Sequence, residues 1–117
     1  MGDGAIQRES QSNWLDLGPS NARTVVFQPL ARAAIDSAYD KWSGAAPAWR
    51  AIEWCIVRDP LVGSPLVESG RIRALYYDGA RSIDHPDAAV IFEVTASEII
   101  IHNVLFTDAK LTYAGRA

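Results

Sequence analysis

Arg71-Ile-Arg-Ala-Leu-Tyr-Tyr-Asp78, Ala88-Ala-Val-Ile-Phe-Glu-Val94 and Glu98-Ile-Ile-Ile-His-Asn-Val-Leu-Phe106 are three strand-like runs separated by turn residues. Each is rich in β-branched and aromatic residues, the composition that fits a pleated, half-buried surface. Asp78-Gly79 and Asp84-His85-Pro86-Asp87 supply turn chemistry between the first two runs, which implies a longer loop there. Thr95-Ala96-Ser97 is short enough to make the last two a hairpin. Ile99-Ile-Ile101 is apolar on both faces, as a central strand requires, and Ala88 to Val94 behaves similarly. In the first run, alternation puts Arg71, Arg73 and Tyr77 on one face and Ile72, Ala74 and Tyr76 on the other. The expectation is that the isoleucine side is core and the arginine side open to solvent or a ligand.

Upstream, the period changes. Thr24-Val-Val-Phe-Gln28 reads as a first strand ended by Pro29. From Leu30 to Trp42, the residues Ala31, Ile35, Ala38 and Trp42 recur at helical steps and share one face. Ser43-Gly44 breaks that helix, and Pro47 suits the first turn of a second. Trp49, Ile52 and Ile56 form its apolar stripe, and Asp59-Pro60 stops it, since the residue before proline avoids the α region. Leu61 to Gly70, with prolines at 60 and 65 and glycines at 63 and 70, reads as a loop. The expected fold is α+β in the order β-α-α-β-β-β: a small antiparallel sheet with an N-terminal αα hairpin on one face. A polar arm (1–23) precedes the domain (24–108), and a short extension (109–117) follows it. Within the arm, Trp14-Leu-Asp-Leu17 supplies the apolar anchors.

Length and composition narrow the class. A chain of 117 residues is one domain with one small core. Hydrophobic residues at 49% against 21% charged argue for a globular protein rather than a disordered one. The net charge of −3 argues against a general nucleic-acid binder, which normally carries a basic face. A single cysteine, Cys55, forbids an intramolecular disulfide and suits a reducing cytoplasm. The apolar runs are too short to cross a bilayer and nothing resembles a secretory leader, so a cytoplasmic location is expected. No phosphate-binding loop, dinucleotide turn or serine elbow appears, and no cofactor or metal is expected. Asp84, His85 and Asp87 read as a turn rather than ligands, and Cys55 as a small buried apolar residue.

The element order, together with three local segments, resembles the RelE/ParE superfamily of bacterial type II toxins. Trp49-Arg-Ala-Ile-Glu-Trp54, leading through Arg58-Asp-Pro60 to Gly63, is similar to the family's second helix and the loop after it. Arg71-Ile-Arg-Ala-Leu75 is similar to its first C-terminal strand. Val90-Ile-Phe-Glu-Val94 with Ile99-Ile-Ile-His-Asn-Val104 is similar to its final hairpin. The resemblance implies a toxin neutralised by a cognate antitoxin protein. Its action would be either metal-independent cleavage of mRNA on the ribosome or inhibition of DNA gyrase by contact. In the cleaving branch, basic groups stabilise the charge that develops as a ribose 2′-hydroxyl attacks its own phosphate. The positions here that match are Arg71 and Arg73 as phosphate clamps and Arg81 in the adjoining loop. His102 would be an acid or base, and Tyr113, beside Lys110, would stand at the C-terminal aromatic position.

Four features depart from that pattern and favour a second reading. Ala88-Ala89 stands where many members carry an arginine, lysines are few, Glu93 adds negative charge, and the chain is acidic overall. Arg71 and Arg73 then become a solvated face paired with Glu93 or Glu98, and His102 a rim histidine. The scaffold would serve as a non-catalytic protein-binding or homodimerising domain.

Overall fold

The computed structural model describes residues 23–110. The expected arm, save Arg23, and the expected site residue Tyr113 lie outside them. The described chain runs β1 (Thr24–Phe27), α1 (Pro29–Lys41), α2 (Ala45–Arg58), β2 (Ser64–Pro65), β3 (Ile72–Tyr77), β4 (Asp87–Val94) and β5 (Glu98–Thr107). It is an α+β fold with the expected order and one addition. Inside the Leu61–Gly70 loop, Ser64 and Pro65 pair with Ala74 and Arg73 and add a two-residue edge strand.

The sheet order is β1-β5-β4-β3-β2. β3, β4 and β5 form an antiparallel meander, while β1 lies parallel to β5 in the register Val25 to Ile99. The sheet is therefore mixed. A parallel neighbour needs a long crossover, which the two helices and the meander supply. β5 and β4 are central, as their two-sided apolar sequences require.

Both helices lie on one face. Pro29 opens α1, where its missing N–H is not needed. Ala31, Ile35 and Ala38 of α1 and Trp49, Ile52 and Ile56 of α2 are buried, and Trp42 closes the stripe just past α1. Ala31, Ile35, Trp49, Ile52 and Ile56 meet Val90, Phe92 and Val94 of β4 and Ile99, Ile101 and Val104 of β5 in one core, while Ala38 and Trp42 form a smaller cluster with Ala45 and Phe106. Each fully buried Ile, Val or Phe contributes on the order of 1.5–3 kcal/mol of transfer free energy, which makes this layer the main source of stability. The turn joining the helices is locked onto the β3–β4 loop. Asp84, in the left-handed region at φ 55°, accepts the Ser43 N–H at 2.6 Å and the Ser43 hydroxyl at 3.0 Å. Gly44 donates its N–H to the Asp84 carbonyl at 3.1 Å, and a Cβ there would run into the Ile83 carbonyl.

The core extends past β5. Trp42 Nε1 donates to Asp108 at 2.9 Å, Ala109 is buried, and Lys110 N–H reaches Asp87 at 3.3 Å. Asp87 also accepts the Gly79 N–H at 2.6 Å. These backbone contacts are what Asp84 and Asp87 do in the turn. Among the described residues no helix is long and apolar enough to cross a membrane, and no cluster of three His, Cys, Asp or Glu is placed to hold a metal ion. Cys55, expected buried, is exposed. It lies beside the Ile52–Ile56 stripe but one residue off it, on the solvent side of α2.

Candidate functional site on the open sheet face

β3 faces the opposite way from the expectation. Arg73 pairs with Phe92, Leu75 with Val90 and Tyr77 with Ala88, so these three belong to the helix-covered side. Ile72, Ala74 and Tyr76 pair with Glu93, Ile91 and Ala89 on the open side. The physical reason is Arg73 itself. Its guanidinium turns along the sheet into the Leu61–Gly70 loop and donates to four carbonyls: Leu61 (2.8 Å), Gly70 (3.0 Å), Val62 (3.2 Å) and Gly63 (3.2 Å). Only the fork geometry of arginine satisfies so many acceptors at once. At 9% exposure Arg73 is a buried structural clasp, with its donors turned to loop carbonyls at the position where a phosphate clamp was expected.

Arg71, just before β3, reaches the open face, where its Nη2 lies 3.4 Å from Glu93 Oε2. The other Glu93 oxygen, Oε1, is 2.9 Å from His102 Nε2. An ionised carboxylate only accepts, so Nε2 carries the hydrogen. His102 reaches Glu93 because β5 is irregular there. Ile91 pairs with Asn103 but Phe92 with Ile101, leaving His102 as the extra residue of a bulge, a device that re-aims side chains. The residue just before β3, with β4 and β5, thus contributes Arg71, Glu93 and His102 to one hydrogen-bonded row. The row sets an imidazole against a carboxylate, and among the described residues the cation beside them, Arg71, is already ion-paired.

Arg81 is not part of this row. It sits in a single 3-10 turn, Arg81–Ile83, at the opposite end of β3, and its Nε donates to the Ala109 carbonyl at 2.7 Å. Six strand steps separate Arg71 from Tyr77, about 20 Å at ordinary strand rise. Of the five expected site residues, then, the fold brings together Arg71 and His102 and places Arg73 and Arg81 elsewhere; the fifth, Tyr113, lies outside the described residues.

The rest of the open face is apolar, and this the sequence reading missed. Leu66, Tyr76, Ile91 and Leu105 are 52%, 72%, 38% and 63% exposed and, with Ala74 and Ala89, line one continuous groove. These side chains alternate with the core set along β3, β4 and β5. Apolar residues at both parities mark a central strand. They are also what a strand needs when its second face is a contact surface.

No family model matches the chain, and no curated protein matches it. Among solved structures, it is similar to a chain of the "Chromosomal ParDE TA system from P. aeruginosa". Identity is 17% over 76% of this chain and all of that one, with a TM-score of 0.48.

Proposed function

We propose that this chain is the toxin component of a type II toxin–antitoxin pair and that it acts by gripping a protein with its open sheet face. The resemblance of its helix-end, strand and hairpin segments to RelE/ParE toxins supports the first half. The observation that carries the second is the character of the face: Leu66, Tyr76, Ile91 and Leu105 form its surface, while the guanidinium of Arg73 is spent on the Leu61–Gly70 carbonyls. Apolar surface removed from water drives protein association, whereas RNA binding draws on unneutralised cations.

A second reading, metal-independent cleavage of mRNA, draws support from the Arg71–Glu93–His102 row. Induction of the chain alone in a bacterial host separates the two. Growth arrest with intact mRNA, relieved by the cognate antitoxin, is the expected result. Cut mRNA that becomes whole in Arg71→Ala or His102→Ala would establish the second reading instead, and normal growth would overturn both.

A further inference from the structure

We propose that Asn103 is the positioning residue of the polar row: its side chain fixes where the β5 bulge falls and so sets the His102 imidazole against Glu93. Along β5 the inward side chains are Ile99, Ile101 and Val104, with Phe106 packed against the same core. Strict alternation leaves one residue between successive inward positions. Here His102 and Asn103 both stand between Ile101 and Val104. The core therefore demands an extra residue, because a one-residue slip would turn Val104 outward and Leu105 inward. It does not say which of the two polar residues takes the extra place. The structure gives it to His102, with Asn103 opposite Ile91.

The bond that Asn103 makes breaks the tie. Its Oδ1 accepts the Val104 N–H at 2.9 Å, directly after the bulge. A bulge takes backbone groups out of the ladder, and Val104 is buried, where an N–H without an acceptor is costly. A short carboxamide reaches the neighbouring backbone in this way. The His102 ring is engaged elsewhere, with Nε2 2.9 Å from Glu93 Oε1. Moved one place along, the bulge would set His102 opposite Ile91, over the groove that Ile91, Asn103 and Leu105 line. Asn103 thus acts through the backbone and marks the boundary between polar row and apolar groove. The inference rests on the bulge alone and holds for a protein-gripping or an RNA-cutting face alike.

The test reads the imidazole in the purified full chain. The ring-nitrogen NMR signals of His102 are told from those of His85 by their loss in His102→Gln. Their response to Glu93→Gln is then measured in the native, Asn103→Ala and Asn103→Asp backgrounds. In the native background Glu93→Gln is expected to shift the Nε2 signal, because it removes the charge from the acceptor. With Asn103→Ala that response should be lost while the far-UV circular dichroism spectrum stays unchanged, since Asn103 is exposed. Asn103→Asp keeps an oxygen at the same place and should restore the response; taking the difference within each background removes the effect of the added charge. An equal response in Asn103→Ala, no response in the native chain, or no recovery in Asn103→Asp would each overturn the inference. Asn103→Leu keeps the bulk without the acceptor and stands in if Asn103→Ala does not fold; a native response there would overturn it as well.

Discussion

The two faces of one sheet have nearly the same composition and opposite fates. On β4, Val90, Phe92 and Val94 disappear beneath the helices, while Ala89 and Ile91, from the same run, look outward. Helix cover alone makes the difference. One face converts apolar area into stability; the other holds it available for a contact. The sharpest way to break this comparison is to truncate neighbours on opposite sides. Phe92→Ala opens a cavity in the fully buried core and should cost about 3–5 kcal/mol of unfolding free energy. Ile91→Ala should cost about 1 kcal/mol or less, since much of that side chain already meets water. Urea denaturation with a constant m-value measures both; equal costs would mean that the open face is structural after all.

Arg73 provides the next test, because it lies on the covered face yet carries the charge expected of a site. Arg73→Ala leaves four loop carbonyls without their donor and should cost about 3 kcal/mol, at the upper end for hydrogen bonds to a charged group. Arg73→Lys should recover part of this, since an ammonium has three donors and no planar fork. A fully stable Arg73→Ala protein that no longer arrests growth would return this residue to the working surface.

Much of the architecture was legible in the sequence, for reasons tied to period. Ala31, Ile35, Ala38 and Trp42 occur at steps of one helical turn, and only one side of α1 can be buried; the same holds for Trp49, Ile52 and Ile56. The strands were equally plain in their composition and turns. Their facing was not. In Ile72-Arg-Ala-Leu-Tyr-Tyr77 both parities carry apolar residues, and Arg73 was read as solvent-facing because its partners lie in a loop that only the folded chain brings near. The parallel pairing of β1 with β5 leaves no local trace either. The bulge did leave one: the buried set steps from Ile99 and Ile101 to Val104 and Phe106, a change of parity that requires an extra residue between them. That step aims His102 at Glu93, a residue the sequence offered as negative charge and as a cross-strand partner for Arg71 or Arg73.

A smaller effect on stability, and a larger one on function, is expected from charge on the open face. Leu105→Asp places a carboxylate at a position already 63% exposed, so the unfolding free energy should change by less than about 1 kcal/mol, as for most surface substitutions. Under the protein-contact reading the same change should abolish growth arrest, because a desolvated, unpaired carboxylate at the centre of an interface opposes association strongly. Stability and toxicity measured on one variant therefore separate the two faces cleanly. A toxic Leu105→Asp protein would move the contact away from this groove.

The smallest stability change belongs to the row at the end of the face. The Arg71–Glu93 pair is long, at 3.4 Å, and half open to solvent on the arginine side, so Arg71→Ala should shift the unfolding free energy by at most about 0.5 kcal/mol. Glu93→Gln keeps the shape while removing the charge that both Arg71 and His102 address. If the face only grips a protein, neither substitution should alter mRNA, and growth arrest should weaken no more than the loss of a rim contact allows. If the row cuts RNA, Glu93→Gln removes the proton acceptor beside His102, and cleavage should fall on the order of 10²-fold or more, the usual worth of a positioned acid or base. Because Glu93→Gln keeps the side chain's shape, its unfolding free energy measured beside the mRNA assay tells lost chemistry from lost fold.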